Sequence, residues 1–349
     1  MNIKIYQELS SMHGVSGREV EIRRYVKEHL DGASEIIQDR IGGVFGVYKG
    51  ERDGPKVMVC AHMDEIGAMV SEIRKDGFIK MIAIGGINPE SFVAQNVYIT
   101  VEEGKRIPGV IASIPPHISK DNKITFDDLL LDIGADSDED AKKLGVKIGD
   151  FITPIDNFYF TSDKKKMVNK AWDDRLGVSV VLDLVEDIKK MKHPNTVILG
   201  ATVQEEVGLR GARVASNNIQ PDLFITIDVS PTSDYLGKPE AGRLGGGFLV
   251  RYYDPRTIMP PRLLAYFRKL AEENKIPYQN FMSHGGTDAG EAQYAYPAGC
   301  LATTVGIPGR YIHSPATMVH LDDIEAAKKF VLKLIEDFTK ERLDSLLYV

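Results

Sequence analysis

The chain has 349 residues, 43% of them hydrophobic and 27% charged, the balance of a soluble globular protein at a length that calls for two domains rather than one core. Its 43 basic against 50 acidic residues give a net charge of −7, which argues against a nucleic-acid partner, since such proteins carry a basic face or stripe. No apolar run approaches the roughly 18 residues that cross a bilayer, and residues 1–10 lack the apolar core of a signal peptide, so a cytoplasmic protein without membrane attachment is expected.

In chain order, residues 2–12 read as a short helix broken by His13-Gly14-Val15-Ser16-Gly17. Ser16 and Glu19 then form a capping-box pattern for a helix over 17–30. Residues 36–38 and 44–48 look like a strand pair. The continuous apolar run 56–61 suits a buried central strand, and it ends in His62 and Asp64. Residues two apart on a strand share a face, so Asp64 is placed to accept the second ring N–H of His62. His13 and His29 are packing or surface residues, and Cys60 and Cys300, each in an apolar run, are buried thiols.

From 68 to 160 the texture changes to short β-like runs at 68–73, 78–84, 96–101 and 107–113, with one helix at 138–144 whose acidic first turn suits the helix dipole. This stretch reads as a small β-barrel domain inserted into an α/β domain formed by 1–67 and 161–349. His117, after Pro115-Pro116, belongs to one of its loops. The α/β pattern resumes with Lys170-Ala171-Trp172-Asp173-Asp174-Arg175 opening a helix. A strand at 196–203 runs into Gln204-Glu205-Glu206, and another at 222–228 ends in Asp228. Further strands at 248–253, 278–282 and 301–305 and helices at 262–274 and in 321–347 complete a mixed sheet with helices on both faces.

His62, the Glu205-Glu206 pair, Asp228 and His313 thus fall at strand ends or the loops beyond them, where open α/β sheets bind ligands. Adjacent glutamates at a strand end point in different directions, so one can hold an ion while the other takes a proton. Imidazole and carboxylate donors without cysteine suit zinc, cobalt or manganese. Two histidines with three carboxylates are the supply that a pair of divalent ions sharing one carboxylate needs.

The joint pattern of Ala61-His62-Met63-Asp64-Glu65, Lys170 to Arg175, Val203-Gln204-Glu205-Glu206-Val207-Gly208, Ile227-Asp228, Gly285-Gly286-Thr287-Asp288-Ala289-Gly290 and Arg310-Tyr311-Ile312-His313-Ser314 resembles the dinuclear metalloaminopeptidases that build tetrahedral shells, and among them the glutamyl aminopeptidases. The resemblance covers essentially the whole chain. It implies that Glu206 and His313 hold one ion, that His62 and Asp228 hold the other, and that Asp173 bridges them, with Asp174 its rival. It implies Glu205 as general base, Asp64 as the residue orienting His62, two zinc or cobalt ions as cofactors, and peptides as substrates. It implies further that the inserted barrel is a dimerisation domain and that the assembly is a dodecamer.

Two positions depart from the pattern. His284 stands where a glutamyl aminopeptidase carries lysine, leaving His284 and Arg251 as the candidate partners of an acidic substrate side chain. Ser314-Pro315-Ala316-Thr317 lacks the glutamate of broader relatives, which leans toward the glutamyl branch. The expected function is removal of N-terminal Glu or Asp from peptides. The alternatives are an aminopeptidase of broad or neutral specificity, an N-acyl amino-acid deacylase or carboxypeptidase, and a non-enzymatic metal-stabilised shell, the last disfavoured by a glutamate that no structural site needs.

Overall fold

The computed structural model describes residues 1–51, 53–115, 123–237 and 242–347; His117 lies outside them. Two helices, α1 (Ile3–Ser11) and α2 (Val20–Glu28), precede the antiparallel pair β1 (Glu35–Gln38) and β2 (Val44–Lys49) and the buried strand β3 (Lys56–His62). Strands β4 (Gly67–Ile73), β5 (Ile79–Ile84), β6 (Asn96–Thr100), β7 (Arg106–Ile111), β8 (Leu130–Asp132) and β9 (Phe151–Pro154) close a barrel in the order β4-β5-β8-β7-β6-β9. Helices α3 (Pro89–Phe92) and α4 (Asp138–Leu144) sit within this stretch. The short β8 and β9 carry too little alternation to be read from sequence. The barrel has its own core, in which Val70, Ile79, Val97, Ile99, Leu131 and Ile152 meet.

The chain then returns through β10 (Tyr159–Phe160) and β11 (Lys166–Asn169) to the long helix α5 (Trp172–Ile188), β12 (Thr196–Thr202), α6 (Arg210–Ile219) and β13 (Leu223–Pro231). It ends with β14 (Phe248–Tyr253), α7 (Pro261–Glu273), β15 (Tyr278–Met282), α8 (Asp288–Ala292), β16 (Leu301–Arg310), β17 (Thr317–His320), α9 (Leu321–Asp337) and α10 (Lys340–Leu346). The large mixed sheet runs β1-β2-β12-β3-β13-β16-β17-β11-β10, with β14 on β16 and β15 on β14. Helices cover both faces, as the unbroken apolar run of β3 requires. Its Val57, Val59 and Ala61 pack with α5, whereas Met58 and Cys60 face a second core with Ala212 and Ala215 of α6 and Ala289 of α8. Burying each such aliphatic side chain contributes about 1.5–3 kcal/mol. No helix among the described residues is long and apolar enough to cross a membrane.

The capping box is corrected by the structure. The α2 helix starts at Val20 without a side-chain cap. Ser16 Oγ instead donates to Asp64 Oδ2 at 2.6 Å, and Glu19 Oε1 accepts from Gly17 N at 2.8 Å and from Gln204 N at 3.1 Å. The local rule describes a helix start, but distant segments take both groups, an acceptor on Asp64 for Ser16 and a donor on Gln204 for Glu19. The 138–144 helix does follow its local rule, with Ser137 accepting from Asp140 N and Gly145 closing it at φ +104°.

Candidate metal centre

Strands β12, β3, β13 and β16 run parallel, so their carboxyl ends open on one edge of the sheet. Thr202 pairs with His62, which sets the Glu205-Glu206 turn beside the end of β3. Thr226 pairs with Cys60, so Asp228, two residues on, comes level with His62. Asp228 in turn pairs with Gly306 of β16, the strand that leads to His313. At the start of α5, Asp173 and Asp174 leave helical geometry and turn their carboxylates toward this edge.

The carboxylate of Asp173 lies between the two histidines, with Oδ1 3.2 Å from His62 Nε2 and Oδ2 3.3 Å from His313 Nε2. Glu206 Oε1 is 3.5 Å from His313 Nε2. Ligand atoms of His62, Asp173 and Glu206 lie within 4.8 Å of one another, as do those of His62, Asp174 and Asp228. Asp174 differs from Asp173 in that its oxygens already accept backbone hydrogens, from Gly177 at 3.0 Å and from His62 at 3.3 Å. Glu206 Oε1 is buried without a hydrogen-bond donor. An oxygen desolvated in this way is costly unless it has a partner, and among imidazole and carboxylate neighbours a divalent cation is the partner that fits.

The remaining ring nitrogens fix both histidines. His62 Nδ1 donates to the backbone carbonyl of Asp64 at 3.0 Å. The Asp64 carboxylate, the acceptor expected from the spacing, stands farther off at 3.4 Å. It is drawn away by three better donors: Ser16 Oγ at 2.6 Å, Glu205 N at 3.0 Å and Glu206 N at 3.2 Å. His313 Nδ1 donates to the carbonyl of Gly86 at 2.9 Å. Since a carbonyl only accepts, each ring presents Nε2 to the centre. Gly86 belongs to the loop after β5, so the barrel reaches the centre directly. Its neighbour Gly85 has φ +81°, and a Cβ there would stand 3.1 Å from Glu206 Oε2, which leaves glycine as the residue that fits.

A cleft of about 370 Å³ opens over these groups. Asp173, Glu205, Glu206, Asp228 and His313 line one side, and Val229, Pro231 and Ile312 give it an apolar wall. Arg251, Ser283, Gly285 and Gly286 complete the lining. Arg251 is 5% exposed; it donates to Ser230 Oγ at 2.8 Å and to the Gly285 carbonyl at 3.3 Å, and Asp254 lies 3.4 Å away. His284 is exposed and does not line the cleft, whereas Ser283, which the sequence reading passed over, does. Beyond the end of β15 successive residues point to opposite sides, and the buried one is Ser283.

Burial raises the pKa of several carboxyls here. Glu206 is pushed up to about 8 by burial and by Asp173, and Asp228 to about 7 by the same two causes, with Arg251 opposing. Glu205 is held well above the usual carboxylate range, first by burial and then by Asp228 and Asp288 against the opposing charge of His62. Burial resists charging His313, yet the hydrogen bond and charge of Asp173, with the charge of Glu206 and the Gly86 carbonyl, together outweigh this and hold it at about 9. In protein stripped of divalent ions the folded state therefore binds more protons than the unfolded chain from about pH 4 upward. Stability then falls as pH rises through about 7 to 9. Chelated protein is expected to show a falling Tm from pH 5 to 9. Added zinc or cobalt should restore Tm most at the alkaline end, because cations displace those protons. A chelated Tm that climbs across this range would contradict the assignment.

The sequence profile of the family described as M42 glutamyl aminopeptidase matches residues 42–330. A glutamyl aminopeptidase of Lactococcus lactis is 36% identical over 96% of both chains, and a lysyl aminopeptidase of Pyrococcus furiosus is 33% identical over 96% of both. Among solved structures, an aminopeptidase from the archaeon Desulfurococcus kamchatkensis superposes with a TM-score of 0.95 at 36% identity, covering 99% of this chain and 98% of that one. The Pyrococcus horikoshii TET1 peptidase, whose structure is described as assembling into a tetrahedron or a large octahedral shell, gives 0.86 at 30% identity over 96% and 99%.

Proposed function

The chain belongs to the M42 glutamyl aminopeptidase family, whose members are metal-dependent, and on that premise we propose that it removes N-terminal residues, acidic ones foremost, from peptides at a centre of two divalent cations, zinc or cobalt. The observation that carries this reading is the Asp173 carboxylate with one oxygen toward each histidine, the arrangement a bridging ligand requires. Glu206 and His313 would hold one ion and His62 and Asp228 the other. Asp174 is set aside as the bridge because both its oxygens are engaged by backbone N–H groups. When bound, the ions supply Lewis-acid polarisation of the scissile carbonyl and lower the pKa of water.

Glu205 lines the cleft beside these ligands and coordinates neither ion in this scheme. It takes the proton of the attacking water and passes it to the leaving amine. Asp64 holds the backbone N–H groups of Glu205 and Glu206, so one carboxylate fixes both the base and a ligand. The carboxylates around the centre also suit the positive α-amine of an unblocked peptide. Arg251, in the lining of the same cleft, is the group that receives a substrate carboxylate, and its burial strengthens that contact. With His284 outside the cleft, the acidic preference rests on Arg251.

Residues 68–160 are proposed as the dimerisation domain and residues 1–67 with 161–349 as the catalytic domain. A homo-oligomeric shell, a dodecamer, is supported by the tetrahedral or octahedral assembly described for the P. horikoshii peptidase and by the dodecamer of a second TET1 structure.

The specificity test is a panel of Glu-, Asp-, Leu- and Lys-p-nitroanilides with N-acetylated counterparts, in wild type and Arg251→Met. Charge-assisted hydrogen bonds contribute about 1.5–3 kcal/mol, so the Glu-over-Leu preference in kcat/KM should fall about tenfold to hundredfold in the variant. A wild-type preference for Lys or Leu would overturn the acidic reading. Release of acetate from the acetylated substrates, with the anilide left intact, would favour a deacylase.

A further inference from the structure

The residue just before the base is held in an unusual conformation. Gln204 has φ +56°, a left-handed backbone that is unfavourable for a residue with a Cβ. It follows the last paired residues of β12, so its N–H points out of the sheet and needs a partner elsewhere. That partner is Glu19, 5% exposed, whose Oε1 accepts from Gln204 N at 3.1 Å and from Gly17 N at 2.8 Å. Glu205 N and Glu206 N go to the two oxygens of Asp64. Three successive N–H groups are thus captured by two buried carboxylates, one from the loop before α2 and one from the loop after β3. Asp64 holds the turn from the side of the metal ligands. On the strand side Glu19 takes the Gln204 N–H, while Arg210 donates from its backbone N to the Gln204 carbonyl and from Nη1 to the Gln204 Oε1, each at 3.2 Å.

We propose that Glu19 is a positioning residue for the base: its Oε1 keeps Gln204 left-handed and so aims the Glu205 side chain into the cleft. The proposal rests on the reading of Glu205 as base. It touches neither substrate nor the candidate ligands, so its loss acts through orientation alone. A displacement of about 1 Å at a reacting group can cost up to about hundredfold in rate. The backbone N–H of Glu206 keeps its own tie to Asp64 Oδ2, so metal content and KM are preserved.

The test is steady-state kinetics with metal analysis on the full chain, using the best p-nitroanilide of the panel. Glu19→Ala is expected to lower kcat about tenfold to hundredfold, with KM within about twofold and metal content as in wild type. Glu19→Gln, which keeps a carbonyl oxygen to accept both N–H groups, should stay within about threefold of wild-type kcat. Should the alanine variant not fold, Glu19→Asp, whose carboxylate is one methylene short of Gln204, takes its place with the same expectation. Wild-type kcat in the alanine or aspartate variant overturns the proposal. So does an equal fall in the glutamine variant, or a fall in proportion to lost metal. Glu205→Gln, run alongside, separates the two levels. An inactive Glu205→Gln with an unaffected Glu19→Ala removes only the positioning role, whereas an active Glu205→Gln removes both.

Discussion

Glu205→Gln is expected to lower kcat by about 10²- to 10⁴-fold while leaving KM and metal content near wild type. The amide is nearly isosteric with the carboxylate, so the turn should survive, and the ties of Glu205 N and Glu206 N to Asp64 involve backbone that the substitution does not touch. What is lost is the ability to take a proton from water and return it to the departing amine. Because the residue acts in the transition state rather than in substrate binding, the loss should appear in kcat and kcat/KM alike. Stopped assays with the preferred p-nitroanilide and metal analysis of the same preparation make the measurement. Turnover near wild type would mean that another group takes the proton. Asp288 is then the next candidate, buried and pushed up to about 6 by that burial.

The parts of the site that the sequence makes legible are those set by strand direction. His62, Thr202 and Asp228 fall at one edge because parallel strands in register end together, and an apolar run stopping at a polar residue marks that edge without knowledge of the fold. The barrel is legible as a change of texture, although β8 and β9 are too short to announce themselves. What is hidden is every contact made between segments far apart in the chain. Ser16 and Glu19 satisfy a local capping rule so well that their true partners, Asp64 and Gln204, cannot be guessed from it. Gly86 gives no chemical signal at all, since its contribution is a backbone carbonyl delivered to His313 by the loop after β5. The choice between Ser283 and His284 turns on the direction of one residue past a strand end, where alternation has no fixed phase.

The largest stability effect is expected at Glu65, which the sequence places beside the site and the structure places beneath it. Its carboxylate accepts from Lys170 Nζ at 2.8 Å on each oxygen and from Gly14 N at 3.1 Å, with Arg175 3.5 Å away. All three charged side chains are almost fully buried. Burial lowers the pKa of Lys170 and of Arg175, and Glu65 opposes that in both. Backbone carbonyls complete the shell: Lys170 donates to Met12 at 2.6 Å, and Arg175 donates to Leu9 at 3.0 Å and Gly14 at 3.1 Å. The cluster therefore ties the first loop of the chain to the His62 and Asp173 loops. Removing the one negative member leaves two buried cations with carbonyls alone, and breaking a buried pair in this way costs about 3–5 kcal/mol. Glu65→Ala should lose that much in urea unfolding, and activity should fall with it because Arg175 also holds the Met63 carbonyl between His62 and Asp64. Combining Glu65→Leu with Lys170→Met removes one charge of each sign and should recover part of the loss, since apolar groups of similar volume substitute well for buried pairs. A single variant that loses less than about 1 kcal/mol would show that water reaches the two cations, and the argument that this cluster fixes the floor of the site would then fail.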